Sequence, residues 1–221
     1  MSIREVVLDT ETTGLSFNNG DKIIEIGCVE IIDKIITGVN FHTYVNTDKI
    51  ISKAAFAVHG ISNDFLKDKP RFNEVAKDLI EFIDNANLII HNAKFDIGFL
   101  NNELSMTQFA KISYSKVIDT LPLAKKLYPG QSVSLDSLCK KFSIDLQARS
   151  KHGALIDSEL LAMVYIEMTG AKQAQIKFND SSNDLDVKQR KHKIIDREFK
   201  VSKLEKDKHA QLIERLNNSC W

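Results

Sequence analysis

A buried strand that runs straight into two carboxylates is the feature that most constrains this chain. The segment IREVVL, residues 3–8, is β-branched and largely apolar, the composition of a strand at the centre of a sheet. Asp9 and Glu11 follow it directly. Side chains alternate along a strand, so these two acids project from one face and Thr10 from the other. Two anions ending a buried strand are costly to desolvate unless a cation sits between them. Carboxylate oxygens are the ligands that Mg²⁺ and Mn²⁺ prefer. The plainer reading is a strand that simply ends in polar residues, and the pair alone does not exclude it.

The rest of the chain supplies the setting. KIIEIGCVEII (22–32), a turn at Asp33–Lys34 and IITGVNFHTYV (35–45) read as hairpin-linked strands. Pro70 opens a helical stretch, RFNEVAKDLIEFIDNA, with Phe72, Val75, Leu79 and Phe82 or Ile83 at helical spacing. NLIIHN and SKVIDT read as short strands. KFDIGFLNNEL, LPLAKKLYPG, SLDSLCKKFSI and HGALIDSELLAMVYIEMTG read as helices, the last closed by Gly170 as a C′ residue. A meander followed by alternating strands and helices predicts an α/β fold with a mixed sheet covered by helices.

Two further groups bear on chemistry. Asp96 stands near the start of the helix through KFDIGFL, where an acid also suits the helix dipole. His152 falls in a loop, and Asp157 lies one turn into the following helix beside Leu160, Leu161 and Val164, hence near its buried side. A lone histidine is more often structural than catalytic. Cys28, Cys139 and Cys220 are odd in number and lack CxxC spacing, which argues against a disulfide framework and a thiolate zinc site and fits a reducing cytosol. The N-terminal residues carry no signal-peptide pattern, and the apolar runs are too short to span a bilayer, so a cytoplasmic location is expected.

The chain of 221 residues is formally neutral, with 30 basic and 30 acidic residues, which excludes a protein that holds phosphates by global positive charge. The neutrality hides an asymmetry. Residues 1–170 carry 18 Lys and Arg against 22 Asp and Glu, a balance of −4, and residues 171–221 carry 12 against 8, a balance of +4. All nine glycines and all three prolines lie in the first part. We therefore expect a folded domain at 1–170, a polar linker at 171–200, and a C-terminal segment at 201–221. That segment includes a short helix with Ser202 and Glu205 at capping-box spacing and an apolar stripe through Leu204, Leu212, Ile213 and Leu216.

In order, LDTETTG, HNAKFD and H-x4-D resemble the three motifs of the DEDDh 3′→5′ exonucleases, and the resemblance covers nearly all of residues 1–170. AVHGI (57–61), VIDTLPLAKKLYPG (117–130), SLDSLCKKF (134–142) and the stretch 152–170 resemble the proofreading branch of that family, which serves bacterial DNA polymerase III. The resemblance implies a ribonuclease H-like fold with a five-stranded sheet. It implies phosphodiester hydrolysis with two Mg²⁺ or Mn²⁺ ions, ligated by Asp9, Glu11 and Asp157, with Asp9 shared between them and Asp96 acting largely through water. His152 would deprotonate the attacking water. Thr12, His59 and Phe95 would border the terminal nucleotide, although a packed histidine in a turn before Gly60 is an equal reading of His59. His91 and Asn92 read as structural links between strand and helix, and the family pattern makes Asp119 a helix cap.

The same resemblance implies partners. These are a single-stranded or frayed DNA 3′ end and the alpha (polymerising) subunit of DNA polymerase III at the C-terminal segment. A theta-like subunit is a further expectation, as is a sliding clamp bound through QAQIKF (173–178) by Gln173, Ile176 and Phe178. Ile194, Ile195, Phe199 and Trp221 would add apolar anchors to the tail, whereas KQRKHK (188–193) reads as solvated linker. Three rival readings remain in view. A DEDDh exoribonuclease similar to ribonuclease T or oligoribonuclease would keep the chemistry, but such enzymes usually lack a tail like 171–221. An aspartyl-phosphate phosphatase would need an aspartate where Glu11 stands and a later paired-aspartate motif. A binding module without catalysis is hard to reconcile with five intact polar positions.

Overall fold

The computed structural model describes residues 2–146, 151–170 and 202–215. The chain divides into two units, Met1–Phe178 and Asn179–Trp221. The boundary expected at Gly170 and the QAQIKF peptide both border or fall in residues outside the described ones. So do Ile194, Ile195, Phe199, Leu216 and Trp221.

The first unit is built on five strands, β1 (Arg4–Thr12), β2 (Ile23–Ile32), β3 (Ile35–Tyr44), β4 (Asn87–Ile90) and β5 (Val117–Asp119), in the order β3-β2-β1-β4-β5. β1 pairs antiparallel with β2 and parallel with β4, so the sheet is mixed, as the strand pattern predicts. The β2–β3 hairpin turns at Asp33 and Lys34, both with positive φ (49° and 66°), the backbone that a tight hairpin turn requires.

β1 lies between two helical layers. Val6 and Leu8 pack against the layer of α3 (Phe72–Ile83) and α4 (Ala93–Leu104), while Val7 packs with Val29, Ile89 and Tyr165 on the side of α7 (Ala154–Met168). The same alternation carries on past the apolar part of the strand. Thr10 therefore points toward α4, and Asp9 and Glu11 toward α7. α7 is apolar on most sides because it is covered on most sides: Leu161 and Ala162 meet the sheet, while Leu160, Val164 and Met168 meet α5 (Thr120–Leu127) and α6 (Leu135–Lys141). Gly170, with φ of 69°, ends it as expected.

Two short helices are absent from the pattern-based expectation, α1 (Lys53–His59) and α2 (Asn63–Leu66). Neither has enough turns to show an apolar period. Their caps define them instead: Ser52 accepts from the Ala55 amide, Ser62 from the Phe65 amide, and Gly60 closes α1 at φ of 74°. His59, placed in a turn by sequence, is the last residue of α1. In the second unit α8 spans Lys203–Arg215, and its Ser202–Glu205 capping box is formed in both directions. Leu204 and Leu212 stand exposed on it. No helix among the described residues is long and apolar enough to cross a membrane.

One glycine decides how closely α7 can approach. Gly27 of β2 stands opposite Asp9, and a Cβ there would overlap the backbone of Ala154 and Leu155. The gap is closed from the other side by the Ser158 hydroxyl, which donates to the Gly27 carbonyl at 2.9 Å. Gly27→Ala should therefore push α7 off the sheet at the level of Asp157. We expect a loss of about 1–3 kcal/mol or more in chemical denaturation, with hydrolytic activity lost more steeply than stability. A fully active and equally stable Gly27→Ala protein would contradict this packing.

Candidate active site

Three elements deliver the acidic residues to one place. β1 presents Asp9 and Glu11 toward α7, and α7 brings Asp157, 4% exposed, in its first turn. Asp157 donates its backbone N–H to the Gly153 carbonyl, and its Oδ2 lies 3.0 Å from His152 Nδ1. Glu11, His152 and Asp157 each offer a ligand atom, all within 4.8 Å of one another. Asp96 arrives from the opposite layer, in the first turn of α4, and accepts from both the backbone N–H (3.1 Å) and the hydroxyl (2.7 Å) of Thr10. The residue between the two strand acids thus ties Asp96 to the same strand end.

The cluster is electrostatically strained. Asp9 is held well above its ordinary carboxylate range, first by burial and then by the charges of Asp96, Glu11, Asp157 and Glu25. Burial raises Asp96 to about 7, although the hydrogen bonds from Thr10 pull in the other direction. An array of hard oxygen donors that resists ionising together is the donor set a divalent cation fits.

Beside the carboxylates lies a cavity of about 500 Å³, walled by Glu11, Thr12, Leu15, Val58, His59 and Phe95 among others. Thr12 is buried, with its hydroxyl donating to the Gly14 carbonyl. His59 is 6% exposed; its Nδ1 accepts the Ile61 amide at 3.0 Å, and burial lowers its pKa, so the ring is neutral with its proton on Nε2. Phe95 packs on Phe99 at 4.8 Å between ring centres. Of the eight residues singled out from sequence, Glu11, Thr12, His59 and Phe95 line this cavity, and Glu11, His152 and Asp157 form the group of converging ligand atoms, with Asp9 and Asp96 outside both.

His152 stands in a short loop against α1. Its amide donates to the Val58 carbonyl at 3.3 Å, and the neighbouring Lys151 ammonium lies 5.3 Å from the Phe56 ring centre. Its side chain is 45% exposed, in contrast to the buried carboxylates. His91 and Asp119 hold the scaffold: His91 Nδ1 meets the Thr120 hydroxyl, and Asp119 accepts from the amides of Asn92, Ala93 and Leu121. Asp119 is thereby the cap of α5 and a tie to the start of α4. Cys28 and Cys139 are buried, and burial raises the Cys28 thiol far above its ordinary value.

Pattern reading missed one acid at this site. Glu25 of β2 pairs with Glu11 across the strands and is 3% exposed. The available signal was a single charge inside the otherwise apolar run KIIEIG.

A mixed sheet with helices on both faces and carboxylates at the end of its central strand is an arrangement compatible with a nuclease. The exonuclease family model matches residues 6–165, and the chain belongs to that family. Relatives named DNA polymerase III subunit epsilon include that of Rickettsia felis, 45% identical over 97% of both chains, and that of Escherichia coli K12, 47% identical over 76% of this chain and 72% of the other. Among solved structures, exonuclease X in complex with 5′ overhanging duplex DNA is similar at a TM-score of 0.58 and 28% identity, covering 76% of this chain and 92% of that one.

The raised carboxylates have a thermodynamic consequence. Between the ordinary aspartate value of 3.8 and the folded value of about 7 for Asp96, the folded protein binds more protons than the unfolded chain. Its stability therefore falls as pH rises through that window. We expect the metal-free melting temperature to drop from pH 5 to pH 7.5, and Mg²⁺ to flatten the slope. A slope of opposite sign that Mg²⁺ leaves unchanged would contradict the repulsion.

Proposed function

We propose that this chain is the proofreading 3′→5′ exonuclease subunit of a bacterial DNA polymerase III, acting in the cytoplasm on mispaired 3′ ends. The observation that carries the reading is that Glu11 belongs at once to the carboxylate cluster and to the wall of the adjoining cavity. A terminal nucleotide seated there would bring its phosphate to the acids. The full-length similarity to epsilon subunits supports DNA over RNA as substrate and a polymerase complex as context.

In this reading Asp9, Glu11 and Asp157 would hold two Mg²⁺ or Mn²⁺ ions, with Asp96 as an outer partner. When bound, the metals supply positive charge to the scissile phosphate and acidify a water. Phe95 and Leu15 receive the terminal base on an apolar wall, while Thr12 and His59 border the sugar. His152 takes the proton of the attacking water, because an imidazole nitrogen can accept a proton and its half-exposed ring already stands beside Asp157. The water oxygen bonds to phosphorus, the P–O3′ bond breaks, and the products are a nucleoside 5′-monophosphate and a shortened 3′-hydroxyl end.

The carboxylates and the histidine should fail differently. Asp9→Ala or Asp157→Ala should abolish hydrolysis and leave the metal-free melting temperature unchanged or raised, since each removes a charge from a repelling set. His152→Ala should lose about 10²–10⁴ in rate with metal binding retained. Near-normal turnover in either aspartate variant would sink the assignment, and loss of metal binding in His152→Ala would overturn the role of the histidine.

The C-terminal segment, about 194–221, is proposed to dock on the polymerising alpha subunit, the linker raising the local concentration of the exonuclease. Exposed Leu204 and Leu212 on α8 support it, as does the −4 balance of residues 1–170, which offers little to hold DNA unaided. QAQIKF is proposed as a clamp-binding peptide and a theta-like subunit as a further partner. A protein ending at Gly170 should digest free single-stranded DNA at the full-length rate yet no longer co-purify with the alpha subunit. Retained co-purification, or lost digestion, would show that the two roles do not divide there.

A further inference from the structure

The buried acid that the hydrolytic scheme leaves idle is Glu25. It lies opposite Glu11 in the β1–β2 ladder and on the same face of the sheet as Asp9 and Glu11. Its carboxylate is gripped from β3, where His42 Nε2 lies 2.7 Å from Oε1. A carboxylate only accepts here, so His42 carries its proton on Nε2 and donates. The His42 and Tyr44 rings meet edge to face at 5.0 Å, and Tyr44 is braced in turn by Phe65 at 4.8 Å. On its other side the carboxylate abuts Gly153, with both oxygens 3.9 Å from where a Cβ on that residue would stand.

Gly153 is the hinge point of the site. It directly follows His152, caps α7, and its carbonyl accepts the Asp157 amide at 2.9 Å. Glu25 thus touches the scaffold of both His152 and Asp157 while standing next to Glu11. Burying a fifth carboxylate beside four others works against stability unless its position does something for the site.

We propose that Glu25, clamped by His42, is a positioning residue that fixes the spacing between Glu11 and the Gly153 junction, and so prearranges the carboxylates for divalent metal. The proposal rests on the hydrolytic reading above. Partners that orient metal ligands from behind typically change metal affinity or activity by about 10–100-fold when removed. His42 is the better handle, because it is half-exposed on the edge strand and its loss leaves no large void in the core.

The test uses the full chain, with Mn²⁺ titrated calorimetrically, melting measured without metal, and hydrolysis of single-stranded DNA followed in parallel. His42→Ala should weaken Mn²⁺ binding by about 10-fold or more and lower kcat with little change in KM for DNA. Its metal-free melting temperature should stay near that of the unaltered protein. His42→Gln, which restores an N–H donor toward Glu25, should recover most of the affinity. Glu25→Ala should show the larger form of the same defect. Unaltered Mn²⁺ affinity in His42→Ala would overturn the proposal, as would failure of His42→Gln to rescue, or a metal defect that merely tracks lost folding. If the unaltered protein itself bound no Mn²⁺, the hydrolytic reading would fall and this proposal with it; a defect-free His42→Ala would remove this proposal alone.

Discussion

Mutual repulsion among carboxylates is the constraint around which this fold is arranged. Asp9 feels Asp96, Glu11, Asp157 and Glu25. An arrangement of this kind persists only if the surrounding structure imposes it. The apolar layers on both faces of β1 do so, one carrying Asp96 on α4 and the other Asp157 on α7. α7 is pinned at both ends. Near its start Ser158 bonds to the Gly27 carbonyl, and near its finish the Tyr165 hydroxyl donates to buried Glu5 at 2.7 Å, with the Lys34 ammonium 2.8 Å from the same carboxylate. The energy stored in the cluster becomes useful when cations occupy it.

The same constraint explains how a domain with an acidic balance can act on a polyanion. Positive charge at the reacting phosphate need not come from lysine or arginine if metals supply it. In the proposed reading the price is weak general attraction for DNA, and the neighbouring cavity, with Phe95, His59 and Thr12 in its wall, would receive one nucleotide rather than a long strand. The proposal gives delivery to the rest of the polypeptide and its partners, with the basic, glycine-free and proline-free C-terminal part as the docking segment.

Much of this was legible in the primary structure, for identifiable reasons. β1 announces itself because a β-branched run ending in D-x-E leaves only one periodicity consistent with burial, and that periodicity already puts Asp9 and Glu11 on one face. α4 and α7 have enough turns for their apolar residues to mark them as helices, and in α7 those residues place Asp157 near the buried side. The elements that escaped were α1 and α2, which are too short for any period and owe their existence to Ser52, Gly60 and Ser62. Glu25 escaped for a different reason. A lone acid in an apolar strand gives no hint of its neighbours, and only the β1–β2 register puts it beside Glu11. Gly27 likewise gains meaning only once α7 is seen to cross over it.

The central claim is that these carboxylates, loaded with divalent metal, remove nucleotides from the 3′ end of DNA. Digestion of one single-stranded DNA oligonucleotide labelled at either end, with a matched RNA beside it, with and without Mg²⁺ or Mn²⁺, tests it most directly. The account predicts immediate release of labelled mononucleotide from the 3′-labelled DNA and a descending ladder from the 5′-labelled one, only when metal is present, with RNA degraded far more slowly. Release from the 5′ end first, digestion that survives chelation of the metal, or a preference for RNA would contradict it.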